Sequence, residues 1–403
     1  MQISSANMHN VAIDQLMVDQ NNMNTTQLQL TSGLQVNAPS DNPAAAAENE
    51  RLLADEARIK STQTAANASN NAMTLSDTAL GSATSLLQSI NNSLVSAGNA
   101  TLGDSDRQAL ATQITQLRNQ LLSVANSTDG TGNYLFGGQA SNQAPFVDGA
   151  GGVQYRGTNS QSYVAAGQGL SLPLTLNGQA AFMQAPSGNG VFTTSALTGN
   201  GTAWIDPGTV TNPAALTGAT YQINFSVAGG NTTYSILKNG VATSQTNVAF
   251  TPGQAVQIDG MSATISGQPA NGDQFQLAPS TPSLSVFNVL DKAIKDLNTP
   301  GLSGAQISQN LSSDEQNLKQ CMAQVSAAQS QAGTAVNRIS ELTTQLSAQT
   351  LADQTRDSNA VNVNEVQALS TFSTQQTGYQ AALKAYSMIQ GLSLFSYLSG
   401  TTG

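Results

Sequence analysis

The chain has 403 residues, which leaves room for two or three domains with a substantial core. Only 9% of the residues are charged and the formal net charge is −10, so a nucleic-acid partner is not expected. No apolar run approaches the roughly 20 residues of a membrane span. The N-terminus has neither a basic start nor an apolar stretch, so we expect no ordinary secretory signal.

Two scarce residue types limit the chemistry that the chain could perform. His9 is the single histidine, which argues against Ser-His-Asp triads and histidine-based metal sites. Cys321 is the single cysteine, and a buried packing residue is favoured over a reactive thiol. Carboxylate pairs such as Asp104 and Asp106 fall at helix starts, where capping explains them. We therefore predict no catalytic, cofactor-binding or metal-binding residue, no cofactor and no enzyme activity; an embedded hydrolase is the alternative.

Residues 1–40 carry a weak helical pattern in which Leu16, Met23 and Leu30 lie seven positions apart. Glutamines interrupt this seam, so we expect the segment to be disordered in a free monomer and to pair with the C-terminus. Prolines at 39 and 43 then stop the helix. By its residues alone, this joint is a plain helix–loop–helix connection.

Residues 41–130 are predicted to form the first helices of a rod. Between Leu52 and Leu94 apolar residues recur every seven positions, along a helix of about 60 Å. This seam is too narrow to stabilise a free helix, so it requires a packed partner. A second seven-residue repeat, from Leu311 to Leu346, has nearly the same length. We predict that the two form a long antiparallel coiled-coil-like bundle built from both chain ends.

The composition changes between residues 131 and 282. Glycine punctuates short runs of alternating polar and apolar residues, and charged residues become rare. The dipeptides Asn239-Gly240 and Asp259-Gly260 between such runs are strong hairpin signals. We predict an all-β domain inserted at the tip of the rod, so that the fold class is α+β multidomain.

Helical patterns return in residues 283–360, the second half of the rod, and in residues 361–403, a terminal helix. The terminal helix is rich in apolar residues, and its simplest core is the N-terminal helix together with neighbouring copies of the chain. The predicted assembly interface on the two terminal helices comprises Leu16, Met23, Leu30, Phe372, Tyr379, Leu383, Tyr386, Leu394 and Phe395.

Several motifs occur in the order found in one family of proteins. They are Met1-Gln2-Ile3-Ser4, the run Thr31 to Asn37 before Pro39-Ser40-Asp41-Asn42-Pro43, Tyr134-Leu135-Phe136-Gly137-Gly138, the run Gly267 to Phe275, and Gly333 with Asn337-Arg338. Together they resemble the flagellin-like axial proteins of the bacterial flagellum, in particular those found at the hook–filament junction. Asn42 departs from the family pattern, in which a second Asp is usual.

The resemblance implies a secreted structural adaptor, a ring that joins the hook side to the flagellin filament after type III export. The implied partners are copies of the chain itself, a hook-side hook-associated protein, flagellin, an export chaperone and the type III export apparatus. Nucleic acid and membrane insertion are not implied. Two alternatives stay open: flagellin itself, against which the prolines at 39 and 43 stand, and a surface adhesin that binds through the β-domain.

Overall fold

The computed structural model describes residues 5–140, 142–167 and 169–399, and for residues 5, 6, 8 and 389–399 it describes the backbone alone. The described helices are α1 (Ser5–Ser32), α2 (Pro43–Ala97), α3 (Asp104–Ala125), α4 (Gly178–Phe182), α5 (Val286–Asn298), α6 (Gly304–Val361) and α7 (Glu365–Ser399). Helical N- and C-terminal regions thus flank a β-rich region, as the sequence predicted.

The strands lie between α3 and α5, interrupted by α4 and by a short 3-10 turn at Pro213–Ala215. They are β1 (Phe146–Gly149), β2 (Gly152–Tyr155), β3 (Tyr163–Ala165), β4 (Ser171–Pro173), β5 (Ala185–Pro186), β6 (Phe192–Thr198), β7 (Trp204–Ile205), β8 (Thr209–Val210), β9 (Tyr221–Ala228), β10 (Asn231–Lys238), β11 (Val241–Ala242), β12 (Val248–Ala249), β13 (Ala255–Ile258), β14 (Met261–Ser266), β15 (Gln274–Pro279) and β16 (Pro282–Leu284).

The chain divides into two compact units. One unit comprises residues 1–63 and 343–403, and the other comprises residues 64–342. Helices α2 and α6 contribute residues to both units. The domain limits that the sequence suggested, at 40, 130, 282 and 360, stay a prediction.

In the unit of residues 64–342, α2 and α6 run antiparallel and share one hydrophobic core. Gly81 of α2 lies beside Gln329 of α6, and Gly98 lies beside Leu311. The buried seam residues of this unit are Ala66, Met73, Leu80, Leu87 and Leu94 on α2 and Leu311, Leu318, Val325, Ala332 and Ile339 on α6. The predicted pairing of the two seven-residue repeats is therefore confirmed here. Cys321 joins the same core, and burial raises the pKa of its thiol to about 12.

The strands of this unit pair antiparallel throughout the described part. The largest sheet has the order β11-β10-β9-β15-β6, with β12 also paired to β10, and a four-stranded sheet has the order β13-β14-β7, with β8 on β14. The hairpins β1-β2 and β3-β4 and the pair β5-β16 complete the set. Asn239-Gly240 and Asp259-Gly260 connect β10 to β11 and β13 to β14, as predicted. Positive φ angles of 48° at Asn239 and 40° at Asp259 suit the tight turns that follow the twist of the strands.

The β-rich region contributes to two separate hydrophobic cores. Its first part, from Leu135 to Ala185, belongs to the core that also contains the helices. There the ring of Phe146 lies 5.5 Å from that of Phe182 and 5.8 Å from that of Phe287 on α5. The second part, from Phe192 to Leu277, encloses a core of its own between the larger sheets.

Candidate assembly interface

The N- and C-terminal helices α1 and α7 pack against each other in the unit of residues 1–63 and 343–403. Helix α1 ends where Gly33 adopts a positive φ of 73°, the conformation that commonly terminates a helix. The backbone N–H of Gln35 then donates to the carbonyl of Val361 at 2.7 Å, and that of Val363 donates to the carbonyl of Gly33 at 3.0 Å. These two bonds hold the end of α1 beside the start of α7.

The opposite ends of the two helices meet at the single histidine. The ring of His9 lies edge-on to that of Tyr386, with the centroids 5.9 Å apart. Since both helices rise about 1.5 Å per residue, this contact and the bridge at Gly33 place Leu16 level with Tyr379. The apolar seams predicted on α1 and α7 therefore lie at matching heights along the antiparallel pair.

The predicted interface residues are only partly covered in this pair. Leu383 is 42% exposed. The half-buried members are Leu16, Met23, Leu30, Phe372, Tyr379 and Tyr386. The side chains of Leu394 and Phe395 lie outside the described residues. The role of all nine residues in assembly stays a prediction.

Sequence reasoning missed several of the most exposed apolar side chains on these helices. They are Val11, Met17, Val18 and Leu28 on α1 and Val366 and Met388 on α7, with exposed fractions between 49% and 82%. Leu369 of α7 is exposed to a similar degree, at 61%. Each lies off the seam that Leu16 defines on α1 or that Tyr379 defines on α7, so a search for one seam overlooks them. The available signal was that α7 carries apolar residues on every side, which is typical of a helix surrounded by protein.

Charged side chains are sparse on the helix pair. The acidic and basic residues of α1 and the described side chains of α7 are Asp14, Asp19, Glu365 and Lys384. A surface with so few charges loses little hydration energy when a second protein covers it, and copies of it repel one another weakly.

The joint between α1 and α2 is organised by two neighbouring polar residues. Oδ2 of Asp41 accepts the backbone N–H groups of Asn37 at 3.0 Å and Ala38 at 2.9 Å. Oδ1 of Asn42 accepts the N–H of Ala45 at 3.1 Å and thereby caps α2. Because Asn and Asp are comparable N-caps, the residue at 42 keeps the joint closed without a second charge.

A groove of about 590 Å³ lies beside this joint. Its apolar lining includes Leu34, Val36, Pro39, Pro43 and Val361. The groove is thus formed by residues near both chain ends, which the backbone bridge at Gly33 brings together.

Among residues 5–140, 142–167 and 169–399, His, Cys, Asp and Glu form no group of three or more that could hold a metal ion. Within the same ranges, no helix combines the length and the apolar character needed to cross a bilayer.

Known proteins share sequence similarity with this chain. Residues 3–141 match the bacterial flagellin N-terminal helical region. The chain is 25% identical to flagellar hook-associated protein 3 of Escherichia coli over 371 residues, which cover 91% of this chain and 90% of that protein. It is 34% identical to flagellar hook-associated protein 3 of Salmonella typhimurium over 124 residues, covering 31% of this chain and 39% of the relative.

A solved structure extends the similarity to the fold. The crystal structure of the flagellar junction protein FlgL from Legionella pneumophila superposes with a TM-score of 0.70 and 26% identity, covering 78% of this chain and 100% of that one. The chain is thus similar to flagellin-like proteins in its N-terminal helical region and to the solved junction protein in its fold. Within that class, it is similar to flagellar hook-associated protein 3, the name that both curated relatives carry.

Proposed function

We propose that this chain is a structural axial protein of the bacterial flagellum, which forms an adaptor ring between the hook side and the flagellin filament. The observation that carries the proposal is the surface of α1 and α7, where large apolar side chains stand exposed on both helices. Burial of apolar surface contributes about 25 cal/mol per Å². Such a patch therefore marks a surface for protein–protein association.

The proposed ring forms when copies of the chain bury these helices against one another. A hook-side hook-associated protein covers one end of the ring and flagellin covers the other. The similarity to proteins named for the hook and the junction supports this order. Before assembly, an export chaperone shields the apolar surface, and the chain leaves the cell through the type III export apparatus to reach the hook–filament junction. The role is structural: it involves no enzyme activity, nucleic acid or membrane insertion.

The experiment that tests the proposal is an assembly assay with the purified full-length chain. The chain is mixed with flagellin and the hook-side protein, and electron microscopy records which of the two proteins it joins. We expect the chain to link flagellin to the hook-side protein and not to form filaments alone. Filaments of the chain by itself would favour the alternative that it is a flagellin.

A double variant, Leu28→Gln with Leu369→Gln, tests the helix surface directly. Both side chains are more than half exposed, at 62% and 61%, so the melting temperature of the monomer should not change. Linking should be lost. The matched control is Val241→Gln, since Val241 is 70% exposed but lies on β11. Normal linking by the double variant would refute the assignment of this surface.

A further inference from the structure

The β-rich region contains five Asn-Gly dipeptides, which begin at residues 177, 189, 200, 239 and 271. Asn-Gly is chemically labile because glycine has no side chain to hinder attack by its own backbone nitrogen on the preceding side chain. We infer that Asn239 is the site at which the folded chain deamidates, while the other four asparagines are protected by the fold.

The reaction needs only the chain and water. The backbone nitrogen of the glycine attacks Cγ of the asparagine and forms an N–Cγ bond. The Cγ–Nδ2 bond breaks, the glycine N–H proton goes to the leaving group, and ammonia departs. Water then opens the resulting succinimide at one of its two carbonyl carbons, which yields either aspartate or isoaspartate.

Four of the five glycine N–H groups are held in hydrogen bonds. Gly178 donates to the carbonyl of Phe136 at 3.2 Å, and Gly190 donates to the carbonyl of Ser187 at 3.2 Å. The other two bonds run from Gly201 to Oδ2 of Asp273 at 3.2 Å and from Gly272 to the carbonyl of Phe225 at 3.0 Å. Each bond must break before its nitrogen can attack, which raises the barrier to cyclisation.

The N–H of Gly240 makes no hydrogen bond within the described residues. Asn239 and Gly240 are both exposed and form the two-residue turn between β10 and β11. In such a turn the paired residues are Lys238 and Val241, so the central glycine nitrogen is left to solvent. This nitrogen can lose its proton to water without disturbing the strands.

The side chain of Asn239 also accepts one hydrogen bond. Its Oδ1 accepts the backbone N–H of Thr220 at 2.9 Å. That donor stabilises the negative charge that develops on Oδ1 in the tetrahedral intermediate. Oδ1 of Asn271 accepts a comparable bond from Val227, so at that site the protection comes from the held N–H of Gly272. Asn177 and Asn189 also accept such bonds, and their Nδ2 groups donate to backbone carbonyls, which holds the leaving group in place.

The consequence of deamidation at this position is local. Isoaspartate adds one methylene to the backbone, which a two-residue turn cannot absorb, so the short pairing of β11 with β10 is lost. Val241 is exposed and lies outside the second core, so that core stays intact. The modification therefore accumulates in folded molecules and adds one negative charge beside Lys238.

The test is peptide mapping by mass spectrometry after long incubation of the full chain at slightly alkaline pH. At each of the other four sites, the glycine nitrogen must first lose one hydrogen bond. Asn239 should therefore convert at least about fivefold faster than each of them. In concentrated urea the five rates should converge. The variant Asn239→Gln should remove the fast conversion and leave the other four sites unchanged. Conversion of any other Asn-Gly as fast as Asn239 in the folded chain would overturn the inference, as would a folded chain in which Asn239 stays intact.

Discussion

Arg118 of α3 donates two hydrogen bonds to Asp291 of α5, from Nε at 2.9 Å and from Nη2 at 3.2 Å. The same guanidinium also bonds to Asp148 of β1, although the side chain of Arg118 is only 7% exposed. Its hydrogen bonds to Asp148 and Asp291 raise the pKa of Arg118, and the bond from Arg118 lowers the pKa of Asp148. One buried cation thus joins α3, α5 and the β1-β2 hairpin.

Replacement of this cation should destabilise the unit of residues 64–342. In Arg118→Met, two carboxylates lose their shared partner, and we expect a loss of about 2–3 kcal/mol in the free energy of unfolding. The measurement is urea unfolding followed by the fluorescence of Trp204, the single tryptophan. The control is Lys238→Met, because Lys238 pairs with Asp259 on the exposed surface of the same unit, where such pairs contribute little. Equal losses in the two variants would contradict the role given to Arg118.

The helical framework could be predicted from sequence because its signal is local and periodic. The repeat from Leu52 to Leu94 identifies one helix by itself, and the turn at Asn239-Gly240 needs only its own dipeptide. By contrast, the partners of Arg118 lie 30 and 173 residues away, and nothing in their spacing marks them.

The candidate interface could be predicted only in part. The heptad seam with Leu16 and Tyr379 follows from spacing. The exposed Val11 and Val366 lie off that seam, and their exposure is known only from the three-dimensional arrangement. The backbone bridge between Gly33 and Val363 was also beyond sequence reasoning, because it depends on how two loops far apart in the chain meet.

Asp314 of α6 is a buried carboxylate in the same unit. Its Oδ1 accepts a bond from Nζ of Lys292 at 2.8 Å, and the side chain is 1% exposed. Its Oδ2 has no hydrogen-bond partner among the residues that the structure describes. Burial raises the pKa of Asp314 to about 6, although Lys292 opposes this shift. In the unfolded chain the carboxyl group of Asp314 has its ordinary pKa of about 4, so it binds a proton less tightly than in the folded chain. Protonation therefore stabilises the folded chain fully below about pH 4, and this stabilisation is lost as the pH rises through about 6.

The variant Asp314→Asn isolates this contribution. Between pH 7 and pH 4, the free energy of unfolding of the unmodified chain should rise relative to that of the variant by up to about 3 kcal/mol. The pKa of Lys292 is raised from its ordinary value, so this amine does not titrate in the same window. Asp296→Asn serves as the control, because Asp296 also accepts a hydrogen bond from Lys292. This variant should keep the rise in the free energy of unfolding between pH 7 and pH 4. Parallel pH profiles for the unmodified chain and Asp314→Asn would contradict this prediction.

The terminal segments should be far less protected than the paired seams. In α1 and the described side chains of α7, the buried residues are Thr26 and Ala368, so little apolar burial opposes local opening. We expect the amides of residues 1–38 and 361–403 to exchange within seconds in the dilute monomer, while those of 52–94 and 311–346 stay protected. Hydrogen exchange with mass spectrometry measures both, and uniform protection along the chain would contradict the prediction.

Substitution of three tyrosines tests whether α7 serves the stability of the monomer or its assembly. Tyr379 on α7 is half-buried, Tyr163 on β3 is 54% exposed, and Tyr221 on β9 is 1% exposed. For Tyr221→Ala we expect the free energy of unfolding of the monomer to fall by about 3–5 kcal/mol, because a core ring is lost. Tyr163→Ala should change neither the stability of the monomer nor assembly.

For Tyr379→Ala we expect assembly to be lost while the stability of the monomer is nearly unchanged. Because the ring is only partly covered by α1 in the monomer, its loss should cost about 1 kcal/mol or less of apolar burial there. When neighbouring copies cover the aromatic side chain, its burial would stabilise the assembly by about 2–3 kcal/mol at every subunit. Melting curves of the purified variant should therefore lie close to those of the unmodified chain, while incorporation between hook side and filament, and with it swimming, is abolished. A loss of monomer stability as large as that of Tyr221→Ala would instead show that Tyr379 serves the core of the monomer, and ordering of the helices on assembly would lose its main support.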